Sequence, residues 1–142
     1  MSGSEEPAPQ PRKPCILVAD DNPRGREFIT LVLASETWEI IEAPDGETAL
    51  RLALRYHPDM ILLDVRMPKR TGFEVLTELR QHPEFKDVPI VAITASAMGG
   101  DREQILAAGF TAYLPKPISP DRLRSELIAL LATHRRNLQQ TP

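Results

Sequence analysis

The chain has 142 residues, of which 42% are hydrophobic and 26% charged, with a formal net charge of −3. That length suits one domain, large enough to bury roughly two-thirds of its unfolded surface around a single core. The charge balance excludes a basic nucleic-acid footprint, and a single cysteine, Cys15, excludes an internal disulfide or a cysteine-based metal cage.

Residues 1–13 mix Ser, Glu, Gln and three prolines, with no apolar residue beyond Ala8 and Met1. They read as a flexible tail. The same stretch lacks the apolar run of a signal peptide, and no segment approaches the roughly 18 apolar residues that cross a bilayer, so a cytoplasmic protein with no membrane partner is expected. Order should begin near Pro14 and continue to 133, with 134–142 as a C-terminal tail.

From Pro14 the chain alternates between short apolar runs and longer segments of helical period. The runs are CILVA (15–19), WEIIEA (38–43), MILLD (60–64), IVAIT (90–94) and TAYL (111–114). Four are almost continuously apolar, as strands covered on both faces should be, whereas Glu39 and Glu42 interrupt the second, which suits a sheet edge.

Between the first two runs, Asn22 can cap a helix that starts at Pro23 and carries Phe28, Leu31, Val32 and Ser35 at helical spacing. Asp45 can cap a second helix bearing Ala49, Leu50, Ala53 and Leu54, ended by His57-Pro58. A third is expected from about Gly72 to Gln81 with Phe73, Leu76 and Leu79 inward. A fourth, around Asp101 to Ala108, should stop at Gly109, and the last carries Leu123, Leu127, Leu130, Leu131 and His134 as an inward stripe. Alternating strands and helices of these lengths predict an α/β fold with a parallel sheet and crossover helices.

In an open parallel sheet the functional crevice lies outside the carboxyl ends of the strands. The first strand leads into Asp20 and Asp21, the third ends in Asp64, the fourth in Thr94, and Lys116 lies just past the fifth. The second offers nothing reactive. Two unit charges about 4 Å apart repel by roughly 4 kcal/mol at an effective dielectric of about 20, so converging carboxylates need a counter-cation. Oxygen ligands from a few carboxylates, completed by water and substrate phosphate, suit Mg²⁺. A carboxylate beside that ion can act as a nucleophile toward phosphorus, with Thr94 donating to one phosphoryl oxygen and Lys116 pairing with another.

On these residues the chain resembles the response-regulator receiver domains, the CheY-like family, across roughly residues 14 to 133. "VADD", "LLDVRMPKRTG", "ITA" and "YLPKP" occur in order, each after the expected strand. The resemblance implies a flavodoxin-like (βα)5 doubly wound sheet of strand order 2-1-3-4-5. It implies that Asp64 accepts a phosphoryl group from a sensor histidine kinase or a histidine phosphotransfer protein. It further implies that Asp20, Asp21, Asp64 and the backbone carbonyl of Arg66 hold Mg²⁺ or Mn²⁺, Asp20 mainly through water. Thr94 and Tyr113 match the family's switch pair, Lys116 matches the lysine that contacts the phosphoryl group, and Lys116-Pro117 matches a peptide bond that is usually cis.

Arg66 and Ser96 fall two residues past the phosphoacceptor and past Thr94, positions that vary in the family and flank the path of an attacking water. Arg66, long enough to lie over the phosphoryl group, is expected to slow its hydrolysis. The face of helix 4, strand 5 and helix 5 would meet downstream protein targets or a second copy, and the first helix with the loop after strand 5 would meet the kinase. The three histidines, His57, His82 and His134, have no metal-ligand spacing and read as structural or surface residues.

The "ITASAMGGDREQILAAGFTAYLPKPIS" stretch is especially similar to single-domain receivers of the DivK kind and to receivers of hybrid kinases. Met1 and an end at Pro142 favour the stand-alone form, signalling by protein contact with no DNA-binding output module; the alternative is a hybrid-kinase receiver acting as a phosphate shuttle or sink. An Asp-nucleophile phosphatase would need a second aspartate two residues after Asp64, where Arg66 stands. A flavodoxin-like electron carrier is disfavoured because Asp20-Asp21 would repel an FMN phosphate.

Overall fold

The computed structural model describes residues 13–34, 36–95 and 101–140. Its elements are β1 (Cys15–Ala19), α1 (Pro23–Leu33), β2 (Glu39–Ala43), α2 (Gly46–Tyr56), β3 (Met60–Asp64), α3 (Gly72–Arg80), β4 (Ile90–Thr94), α4 (Asp101–Ala108), β5 (Ala112–Pro115) and α5 (Pro120–Gln140). The strands form one parallel sheet in the order β2-β1-β3-β4-β5.

Strand alternation explains why four runs are apolar throughout. In β1, Leu17 and Ala19 point into one core with residues of α2, α3 and α4, including Ala49, Leu76 and Ile105. Ile16 and Val18 point into a second core with Ile29 and Val32 of α1 and Leu123 and Leu127 of α5. Both faces are covered, so both sets of alternate side chains are apolar. β2 lies at one edge, and its glutamates are exposed.

Helix starts follow the capping chemistry. Asn22 accepts from the Arg24 amide at 2.9 Å with Pro23 opening α1, and Asp45 accepts from Thr48 at 2.7 Å to open α2. Thr71 and Glu74 form a reciprocal capping box on α3, a pairing that the T-G-F-E spacing encodes. α2 ends at His57 in the left-handed region (φ 48°), and Gly109 takes φ 117° just past α4.

Two expectations change. The buried side of α1 is Ile29, Val32 and Leu33, while Phe28 and Leu31 face outward and Ser35 lies outside the described residues. Apolar residues crowd positions 28–33, so periodicity leaves the helix phase open. Gly25 fixes it, because its Cα sits flush against the Asp20 carboxylate, where an added Cβ would lie 2.6 Å from Oδ2. At the other end, α5 runs to Gln140, past the tail boundary expected at 133, since no Gly or Pro interrupts 121–140.

Candidate functional site

The carboxyl ends of β1, β3, β4 and β5 bring the polar residues to one rim. Sheet register places Asp64 beside Ile93 and Thr94 beside Pro115, and the Lys116 amide donates to the Thr94 carbonyl at 2.8 Å. Asp20, Asp64 and Thr94 are buried, and Asp21 is exposed at the mouth. Asp20, Asp21 and Asp64 each offer a carboxylate oxygen within 4.8 Å of the others.

Lys116 answers this acidity. Its Nζ donates to Asp20 Oδ2 at 2.7 Å and to Asp64 Oδ2 at 3.1 Å. The remaining oxygens take backbone donors, the Asn22 amide on Asp20 Oδ1 and the Arg66 amide on Asp64 Oδ1, both at 2.9 Å. One ammonium faces three carboxylates, so with all three ionised the site keeps a net negative charge, and its donors are hard oxygens. That donor set fits Mg²⁺ or Mn²⁺.

Burial pushes the Asp64 carboxyl above its ordinary range; the Arg66 amide and Lys116 oppose the shift, and the charge of Asp20 adds to it. Burial alone would lower the Lys116 ammonium, but its hydrogen bonds and charge pairing with Asp20 and Asp64 outweigh burial and raise it. Asp45, past the end of β2 on the same rim, behaves oppositely. The Thr48 amide holds its carboxyl below the ordinary range, helped by Lys69 at 3.6 Å. One aspartate caps a helix and is held low by that bond; the other is pushed up by its burial.

The backbone behind Asp64 is equally constrained. The Gly72 amide donates to the Val65 carbonyl at 2.9 Å, and a Cβ on Gly72 would lie 2.8 Å from the Asp64 carbonyl oxygen. The glycine therefore lets α3 pack directly against the loop after β3, in which Lys69 takes φ 70°. Arg66 is exposed and lines a cleft of about 430 Å³ with Asp21, Asn22, Asp64, Thr94, Ala95 and Lys116. Tyr113 is half-buried on β5, packed against the first core, and the Lys116-Pro117 peptide is cis. Ser96 lies outside the described residues.

Sequence reading missed Arg26. Its Nη1 donates to the Asp20 carbonyl at 2.6 Å, and its Nε lies 3.4 Å from the Glu42 carboxylate. No local pattern marks such a pair, because Arg26 belongs to α1 and Glu42 to β2. The histidines are remote from the rim residues: His57 and His82 both pack on Phe85, and His134 is buried near the end of α5.

A fold of this order, with an acidic cluster and a lysine at the carboxyl rim, defines a class. The family profile of the response regulator receiver domain matches residues 16–128. The polar-differentiation response regulator DivK of Brucella ovis is 36% identical over 107 residues, which span 75% of this chain and 87% of DivK. Among solved structures, the receiver domain of a Pseudomonas aeruginosa sensor histidine kinase, described with a magnesium ion coordinated in its active-site cleft, is 36% identical with a TM-score of 0.78, covering 85% of this chain and 99% of that one. Chemotaxis response regulator CheY4 of Vibrio cholerae is 30% identical with a TM-score of 0.78, covering 84% and 99%. The chain belongs to the response-regulator receiver family and is a DivK-like receiver of two-component phosphorelay signalling.

Proposed function

We propose that Asp64 is the phosphoacceptor of this receiver, served by a divalent cation that Asp20, Asp21, Asp64 and the Arg66 carbonyl would hold. The observation that carries this is the placement of three carboxylate oxygens within 4.8 Å of one another, with the Lys116 ammonium bonded to two of those groups. Bound Mg²⁺ would supply the positive charge that offsets repulsion between the carboxylates and an incoming phosphoryl group.

An Asp64 carboxylate oxygen attacks phosphorus; the new O–P bond forms as the P–N bond to a phosphohistidine breaks, and the released imidazole takes a proton. Lys116 moves its ammonium from the carboxylates to a phosphoryl oxygen, and Thr94 donates to another. The added charge draws Thr94 inward, Tyr113 follows, and the face of α4, β5 and α5 changes shape. Leu106 and Ile128 lie exposed on those helices, which supports protein docking there, by a downstream target or a second copy. The chain transfers the phosphoryl group only to itself and loses it by hydrolysis, so it is not an enzyme acting on other substrates.

We place this chemistry in the cytoplasm, where histidine kinases present their phosphohistidine; among the described residues no helix is long and apolar enough to cross a membrane. Similarity to a receiver domain of a sensor kinase favours one further reading, in which the domain relays or drains phosphoryl groups within a hybrid-kinase pathway. Incubation with a small acyl-phosphate donor and Mg²⁺, followed by intact mass, tests the phosphoacceptor directly. One added phosphoryl mass is expected in the parent and none in Asp64→Asn; an equal adduct in both would exclude Asp64.

A further inference from the structure

Asp20 is the hinge between β1 and the turn that carries Asp21, and both of its backbone polar groups are held from elsewhere. Its amide donates to the Ala43 carbonyl of β2 at 3.1 Å, and its carbonyl accepts from Arg26 Nη1 at 2.6 Å. Arg26 in turn is tethered by Glu42, the β2 neighbour of Ala43, with Nε 3.4 Å from the carboxylate. The Arg26 side chain is only 18% exposed, and among the described residues its buried Nε has no hydrogen-bond partner, so Glu42 holds it by charge. On the far side of the same residue, Gly25 abuts the Asp20 carboxylate. One turn of α1 thus grips Asp20 by its carbonyl and its side chain together.

We infer that Arg26, braced by Glu42, is a positioning residue for the acidic site, fixing the Asp20–Asp21 peptide so that the two side chains meet a divalent cation together with Asp64. The inference rests on the proposed reading of that site as a metal-dependent phosphoacceptor, and it adds residues outside the ligand set. Groups that orient ligands without touching the metal typically change its affinity by about 10- to 100-fold when removed.

Charge and position make opposite predictions, which lets one experiment separate them. Arg26 places a positive charge at the Asp20 peptide, on the margin of an acidic cluster; if that charge were all that mattered, deleting it would strengthen divalent binding. If the grip on the Asp20 carbonyl matters more, deleting it loosens the peptide and weakens binding. The measurement is Mn²⁺ uptake by the full chain, read from loss of the free-ion paramagnetic resonance signal, with Mg²⁺ as competitor and no phosphodonor present.

Arg26→Met is expected to bind Mn²⁺ about tenfold more weakly, Arg26→Lys to recover most of the loss, and Glu42→Gln to lose about threefold. Thermal unfolding in chelator accompanies each variant, and should Arg26→Met fail to fold, Arg26→Lys and Glu42→Gln carry the comparison. Equal or tighter Mn²⁺ binding by folded Arg26→Met, or by Glu42→Gln when it alone remains, overturns the inference while leaving the site reading intact. A parent chain that takes up no Mn²⁺ overturns both.

Discussion

The two ends of this sheet each hold a partly buried cation, and they use it differently. At the amino ends of β4 and β5, Arg80 donates to the carbonyls of Phe85 at 2.6 Å, Lys86 at 3.3 Å and Val88 at 2.8 Å, and to Gly109 and Thr111 at 3.1 and 3.3 Å. At the carboxyl ends, Lys116 is shared by the carboxylates of Asp20 and Asp64. Arg80 bonds neutral oxygens on several segments at once, so it rivets α3 to the turn at Pro83–Phe85 and the α4–β5 loop. Carboxylates in excess can exchange an ammonium for a metal ion and a phosphoryl group. On the proposed reading of the site, one end contributes stability and the other chemistry.

The sharpest way to break this contrast is at the rivet. Arg80→Met should lower the free energy of unfolding in urea by about 3 kcal/mol, since several carbonyls lose a charged donor. Phosphoryl uptake per folded molecule should stay at the parental level. A loss below about 1 kcal/mol, or lost uptake in folded protein, would erase the division of labour.

Next in size is Lys116→Ala. In chelator it should destabilise by about 1–2 kcal/mol, less than a fully buried pair would because the lysine side chain remains 26% exposed. Mg²⁺ should then raise its melting temperature more than the parent's, as the ion takes over neutralisation of the carboxylates. An equal Mg²⁺ response in both proteins would show that the ammonium and the ion do not share a place.

A subtler expectation concerns pH. Because burial raises the Asp64 carboxyl in the folded state, its protonated form is favoured there and the unfolded chain binds fewer protons. Stability in chelator should therefore fall as pH rises from the ordinary value of 3.8 through the raised one. Asp45, lowered by its cap, works with the other sign: its contribution is full above 3.8 and lost as pH falls through its lower folded value. Asp64→Asn should flatten the first slope and leave the acid limb, which chemical denaturation across pH would show. An unchanged slope would mean that Asp64 is not held against ionisation.

The smallest effect should be at Arg66, which lines the cleft without a side-chain role in holding the acidic cluster. Arg66→Asn should shorten the phosphoryl half-life about threefold, well under 1.4 kcal/mol of barrier, by opening a path for water. A half-life equal to or longer than the parent's would remove Arg66 as a shield.

The contrast between the ends also marks what the sequence could reveal. The carboxyl rim was legible because strand ends can be read from apolar runs, and these place Asp20, Asp21, Asp64, Thr94 and Lys116 on one edge. Strand order came through family resemblance, since nothing local says which strands are neighbours. The phase of α1 was not legible: residues 28–33 offer two apolar faces, and the packing of Gly25 on Asp20 decides between them. Arg80 and Arg26 escaped for a related reason. Their partners are backbone carbonyls and a carboxylate on other elements, and such tertiary pairings leave no periodic trace.

The central claim concerns where phosphorus is attached. Borohydride reduces an aspartyl phosphate to homoserine, so reduction of the phosphorylated chain followed by peptide mass mapping locates the acceptor. Homoserine at position 64 alone, and none without Mg²⁺, is the expected result. Homoserine at position 20 or 21, or a stable adduct on any hydroxyl or histidine in its place, would contradict the account.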